Sequence, residues 1–348
     1  MKLTSTSIIA ALCAIALTSC IQDEYDFNKV NLEMTVAPGI SIPVDKTLDD
    51  VKTGDLLDMG DCDKDEDGTF VSNGEPVTKQ MEISAEEVAS GTVYSDEKIS
   101  VPVSVPEFLK NSKTEFRFHE PQIGFTVNNP VNCPVVMKAR AKSGDKSLDI
   151  VAELPAGAEA YSVSLSGSEV AELLYPVPDA ITVEDISFTG VQTKSSVCAV
   201  DAGNVVYRIM ASSRIKMEFE AGSEISFDSE LDLEEMGADL SKIEVSVDEF
   251  EIEASVTSTF PLDLSARAQS IDGATSLEIE NPVLAKATTD VKLLAKTDGK
   301  LSDIKVIVLS VNAKNSTDGP VALGEDCTLS IDIDRLKATS GITYNPGK

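Results

Sequence analysis

Apolar and polar residues alternate with a period of two along most of this chain, and that pattern limits its fold more than any other feature. It runs through Ile99, Val101, Val103 and Val105, through Ile123, Phe125 and Val127, and through Ile215, Met217 and Phe219. It recurs in Ile243, Val245 and Val247 and in Leu262, Leu264, Ala266 and Ala268. Successive side chains of a strand point to opposite faces, so each run specifies a strand with one buried face. The runs are short and separated by Gly, Asp, Asn and Pro, which is the spacing of antiparallel sandwiches. Helical stretches are few: residues 48–59, 168–174 and 233–240. The expected fold class is all-β, with no doubly wound α/β enzyme domain.

The chain also resembles itself. Cys133-Pro134-Val135-Val136-Met137-Lys138-Ala139-Arg140-Ala141 aligns with Phe260-Pro261-Leu262-Asp263-Leu264-Ser265-Ala266-Arg267-Ala268. With a two-residue gap, Ile123 meets Ile252 and Val127 meets Val256, and further on Ser147-Leu148-Asp149-Ile150 meets Ser276-Leu277-Glu278-Ile279. Two divergent copies of one unit are therefore expected, over roughly 100–195 and 225–315. The proline opens a strand, where its missing N–H disturbs the ladder least. Arg140 and Arg267 fall on the outward face and read as solvated side chains, and Cys133, opposite Phe260, reads as a packing residue.

Ile123-Gly-Phe-Thr-Val-Asn-Asn-Pro130, followed by Pro134 and an alternating strand, resembles the Asn-Pro hairpin of water-stress domains in late-embryogenesis-abundant proteins. That resemblance implies small antiparallel sandwiches related in shape to fibronectin type III. Asn281-Pro282 repeats the element out of register in the second copy. The whole pattern also resembles uncharacterised surface lipoproteins of the Bacteroidetes, which implies a location and a fold but no activity. The expected division is residues 1–19 as signal peptide, 20–37 as acidic tether, 38–196 as a first sandwich carrying an acidic-turn insertion, and 197–348 as a second.

The location rests on the first residues. Lys2 precedes an apolar stretch from Ile8 to Leu17, the order of charge and hydrophobicity in a secretory signal. The stretch is too short to span a hydrocarbon core of about 30 Å as a helix. Leu17-Thr18-Ser19-Cys20 resembles a bacterial lipobox, which implies cleavage before Cys20 and acylation of that cysteine, palmitate being a typical chain. Several acyl chains anchor a protein durably. Ile21-Gln22-Asp23-Glu24 resembles the signal that sends Bacteroidetes lipoproteins to the outer face of the outer membrane, although an acidic stretch also serves as a plain solvated tether.

Charge narrows the partners. The chain carries 29 basic and 59 acidic residues, a formal charge of −30, and residues 1–19 hold Lys2 and no acid. Nucleic acid, whose binding needs cationic side chains on the phosphates, is an improbable partner, and a bare anionic membrane repels such a domain. Contact with the membrane is expected through the lipid on Cys20 alone. Disulfides are permitted in an exported protein. The cysteines beyond the anchor are nevertheless expected as unpaired thiols, because Cys327 continues an alternating strand as a small inward-facing hydrophobe and Cys62 lies in an acidic turn.

That turn holds the sharpest candidate site. In Asp61-Cys62-Asp63-Lys64-Asp65-Glu66-Asp67-Gly68-Thr69-Phe70, the residues Asp63, Asp65, Asp67 and Gly68 reproduce positions 1, 3, 5 and 6 of a calcium loop. Gly74 stands where that loop has its bidentate Glu. The competing reading is a hairpin turn built on Asp-Gly. Catalytic constellations are harder to find. His119 is the single histidine, which rules out a multi-histidine zinc site within one chain, and it reads as an exposed residue at a strand end. No Gly-x-Ser-x-Gly elbow or phosphate loop occurs, and no carboxylate pair stands out among so many acids. Tryptophan is absent, which removes the usual sugar-stacking face. The expectation is a non-enzymatic structural or protein-interaction module at the cell surface. The alternatives are a ligand-binding accessory protein for nutrient capture, with calcium stabilising the acidic loop, and after it a hydrolase.

Overall fold

The computed structural model describes residues 34–36, 40–47, 50–191, 203–232, 245–246, 249–270, 275–297, 306–338 and 342–344. Cys20 with its lipobox and the expected helix 233–240 lie outside them. The first strands are β1 Met34–Val36, β2 Ile40–Thr47, β3 Val51–Lys52, β4 Asp63–Lys64, β5 Phe70–Asn73, β6 Val77–Ser84, β7 Thr92–Ser95 and β8 Ile99–Pro102. There follow β9 Gln122–Val127, β10 Val135–Ser143, β11 Lys146–Leu154, β12 Tyr161–Ser166, β13 Ala180–Gly190 and β14 Asn204–Lys216. After β15 Glu218–Phe219 come β16 Glu224–Asp232, β17 Val245–Ser246, β18 Glu249–Ser258, β19 Asp263–Ser270 and β20 Thr275–Ile279. The last are β21 Thr288–Thr297, β22 Val306–Lys314, β23 Val321–Ala322, β24 Thr328–Ala338 and β25 Ile342–Tyr344. The described pairings are antiparallel, and the chain is all-β as the alternation specifies.

Helices are short. The expected helix 48–59 shrinks to α1 Thr53–Leu56, and α4 Ser168–Leu173 matches the expected 168–174. Two more, α2 Ala85–Ser90 and α3 Glu107–Lys110, interrupt strand-rich sequence. α2 opens on Ser84, whose Oγ accepts the Glu87 N–H at 3.4 Å. That is one half of a capping box, and the sequence Ser84-x-x-Glu87 carries its signature.

The chain divides into two compact units, named here for their place in the sequence. The central unit takes residues 60–106 and 116–220; the flanking unit takes residues up to 59, 107–115 and those from 221 onward. The expected boundary at 196/197 is corrected at both ends. β2 and β3 pair with β24, so residues 40–59 belong with the C-terminal strands. β14 pairs with β9 and β6, so it completes the central unit. Alternation states which face a strand buries but is silent on which distant strand supplies its hydrogen bonds.

In the central unit one sheet runs β11-β10-β13-β7 with β8 also on β13, and another runs β12-β9-β14-β5-β4 with β6 also on β14. In the flanking unit one path runs β16-β22-β19-β20-β21-β18-β24-β2, with β3 also on β24, and β1, β25 and β17 form a separate three-stranded sheet. The partners correspond strand for strand. β10 pairs with β11 and β13 as β19 pairs with β20 and β22. β9 pairs with β12 and β14 as β18 pairs with β21 and β24. The difference is the pairing of β20 with β21, which joins the flanking unit's two halves and has no counterpart between β11 and β12 among the described pairings.

Inward faces follow the alternation. Ile123, Phe125 and Val127 of β9 are buried, as are Val135, Met137, Ala139 and Ala141 of β10. Burying a large apolar side chain stabilises by about 1.5–3 kcal/mol. Gly144, at φ +56°, makes the two-residue turn between β10 and β11, a backbone region that residues with a Cβ resist. The central core is aromatic: Phe188 of β13 stacks on Tyr207 of β14 with ring centroids 4.0 Å apart. Phe116 and Phe118 meet edge to face at 5.4 Å, and Phe219 stacks on Phe118 at 5.8 Å.

The cysteine expectation holds in part. Cys62 and Cys327 are free and half-buried. Cys133 is buried, as expected of a packing residue, but it is disulfide-bonded, to a cysteine outside the described residues. Unpaired thiols are therefore wrong for Cys133. An alternating strand looks the same whether its buried sulfur packs or bonds, because both uses require the inward face.

Candidate functional site

The acidic segment folds as a hairpin. Asp63 pairs with Val71 and Lys64 with Phe70, and Gly68 turns the chain at φ +76°. Asp65 organises the turn: its Oδ1 accepts the N–H groups of Asp67 at 3.1 Å and Thr69 at 3.0 Å. Its backbone N–H reaches the Thr69 carbonyl at 3.0 Å, and its carbonyl accepts the Gly68 N–H at 3.0 Å. The other carboxylate oxygen lies 2.6 Å from the Lys216 ammonium. That contact, aided by the two backbone donors, holds the Asp65 carboxyl below its ordinary range.

The three carboxylates of the calcium reading are not brought together. Asp65 is committed to the turn and to Lys216, Asp63 accepts the Asn73 side-chain amide at 2.9 Å, and Asp67 is exposed. No group of three acidic, histidine or cysteine side chains among the described residues is placed to hold a metal. The turn that offered the competing explanation is what forms, one strand closer than a hairpin between residues 56–57 and 70–71. Cys62 at its base has a thiol pushed up to about 11, by burial first and then by Asp63 and Asp61, so it stays protonated and weakly nucleophilic near neutral pH.

His119 is half-buried, with Nδ1 2.9 Å from Glu220 Oε1. Its pKa is raised by that hydrogen bond and by nearby Glu218 and Glu120. Arg140 differs from the solvated reading. Its Nε donates to Asp149 at 2.9 Å and one terminal nitrogen to Asp185 at 3.2 Å, whereas Arg267 is exposed as expected. One ionic group was not legible beforehand: Glu184 binds Lys142 at 2.6 Å and Lys98 at 2.7 Å, which draws its carboxyl down to about 2. These residues lie on β13, on β10 and just before β8, so only strand pairing assembles them.

The Asn-Pro element is structural. Asn129 is fully buried, and its amide donates to the carbonyls of Cys133 and Pro155, both at 2.8 Å. Its Oδ1 accepts the Val131 N–H at 3.3 Å and the Tyr207 hydroxyl at 3.4 Å, and its own N–H reaches Ala158 O at 2.7 Å. In the flanking unit Ser258 takes this place: its N–H reaches Ala287 O at 2.9 Å and its Oγ accepts the Phe260 N–H at 3.1 Å. Asn281-Pro282, by contrast, is exposed.

No described helix is long and apolar enough to cross a membrane. No protein-family model and no curated protein matches the chain. Among solved structures, a Parabacteroides distasonis protein classed as secreted is 13% identical at a TM-score of 0.47, covering 88% of this chain and 99% of that one. A Broad Bean Stain Virus structure is 11% identical at a TM-score of 0.19, covering 77% of this chain and 91% of that one. At these values neither lends this chain a function.

Proposed function

We propose that the chain is an exported bacterial lipoprotein, anchored in the outer membrane through acyl chains on Cys20 and facing the cell exterior, where it serves as a non-enzymatic structural or protein-interaction module. The observation that carries this reading is Leu17-Thr18-Ser19-Cys20 at the end of a short apolar stretch, followed at once by Asp23 and Glu24. A body built from antiparallel strands suits display, because loops at sandwich ends vary without disturbing the core. The two units are diverged copies of one sandwich in this reading, supported by their matched pairings and by the shared places of Asn129 and Ser258. The formal charge of −30 favours solubility and disfavours nucleic acid as a partner.

The test is metabolic labelling with radioactive palmitate and fractionation of the producing cells. Label on the wild type but not on Cys20→Ala, with the variant leaving the membrane fraction, is the expected result; label retained by the variant would overturn the anchor. Protease treatment of intact cells tests the outward orientation, and full protection would return the protein to the periplasmic face.

A further inference from the structure

The interior of the flanking unit contains a cavity of about 50 Å³. Among the described residues that line it none is charged, and Ser265 alone carries a side-chain hydroxyl. The matched positions explain why this core is not filled. Phe125, Met137 and Tyr207 in the central unit correspond through the aligned strands and their registers to Ala254, Leu264 and Leu329, and these three line the cavity. Phe188, which stacks on Tyr207, corresponds to Ala313. Exchanges that run the other way include Cys133 to Phe260, Val135 to Leu262 and Ala211 to Ile333, and none of Phe260, Leu262 and Ile333 stands among the described lining residues. A fold that fills this space with aromatic rings in one unit leaves it open in the other.

We propose that this cavity binds an apolar ligand, the end of an unbranched aliphatic chain. Empty apolar cavities stay dry and accept apolar guests, since water there finds no hydrogen-bond partners. The described lining is aliphatic, and the volume takes a few carbons and no large ring system. Leu56, Ser265, Ala266 and Ile279 line the cavity and are half-exposed, so they form the mouth past which the rest of the chain extends. Among the described lining residues no charged group waits inside for a head group, so a neutral and an ionised ligand with the same tail bind alike.

The experiment uses the full chain carrying Cys20→Ala, so that it is purified without detergent. It is titrated calorimetrically with 1-decanol and with decanoate below micelle formation. One saturable site for both is expected. Ala254→Leu, which fills the cavity, weakens both by about tenfold or more while circular dichroism stays unchanged. Should that variant fail to fold, Ala266→Val narrows the same space with fewer added atoms. Absence of saturation in the unsubstituted chain, binding of decanoate without decanol, or a smaller loss in a folded variant overturns the proposal.

Discussion

The central and flanking units share a strand-pairing scheme and differ in what fills it. The central unit keeps two separate sheets, closes them over stacked rings of Phe188 and Tyr207, and ties one end with the buried Asn129 amide. The flanking unit pairs β20 with β21, replaces the rings with alanine and leucine, and has Ser258 where the amide stands. One pairing scheme thus tolerates large changes in core volume, because backbone hydrogen bonds fix the strands while side chains fill the space they leave. Packing decides rigidity and voids more than it decides topology.

The largest test of that contrast moves a flanking residue into the central core. Phe125→Ala is expected to destabilise the central unit by about 4 kcal/mol, through lost burial and an unfilled hole. Urea denaturation followed by hydrogen exchange, unit by unit, measures it. A loss below about 1 kcal/mol would mean that the aromatic core relaxes freely and the contrast is shallow.

Next comes the polar tie. Asn129→Ala removes the buried side-chain partner of the Cys133 carbonyl, the Val131 N–H and the Tyr207 hydroxyl, while the Pro155 carbonyl keeps the Ala158 N–H; it is expected to cost about 3 kcal/mol, whereas Ser258→Ala removes one acceptor and costs about 1 kcal/mol. Equal costs would show that the extra hydrogen bonds of the Asn129 amide add no stability to the central unit. The acidic hairpin belongs to the central unit alone. Asp65→Ala is expected to lower the Tm of that unit equally in EDTA and in millimolar calcium; a calcium-dependent rise in wild-type Tm that the variant lacks would restore the metal reading.

The two titrations are smaller and also confined to the central unit, since Glu184 lies opposite Arg140 whereas Ser310 lies opposite Arg267. The folded state lowers the Glu184 pKa from 4.5 to about 2, so its contribution is present above pH 4.5 and is lost as the pH falls toward 2. Glu184→Gln should flatten that limb in acid denaturation of the central unit and leave the flanking unit unchanged. His119 has the opposite sign. Its folded pKa is raised above 6.5, so its contribution is complete below 6.5 and disappears as the pH rises through the folded value. With both partners partly exposed this amounts to under about 1 kcal/mol. Stability curves of wild type and His119→Gln that differ only on the acidic side would agree with it; identical curves would not.

Much of this was legible in the residues. Period-two alternation determined the strands and their buried faces, from Ile123-Phe125-Val127 to Leu262-Leu264, because each residue's side follows from strand geometry alone. The internal alignment placed Cys133 against Phe260 in the core, and Asp-Gly marked the hairpin at 67–68, since turn conformations are set by adjacent residues. Local sequence also offered α2, through Ser84 and Glu87, but the strands on either side masked it. The tertiary structure alone decided the rest. Which distant strand pairs with β24 or β14, where the units divide, how Lys98, Lys142 and Glu184 meet, that Cys133 is bonded, and that Ala254 and Leu329 leave a cavity all depend on residues far apart in the chain. Hydrogen-bonding backbone groups are alike in every strand, so their partners are chosen only by how the whole chain buries its apolar faces together.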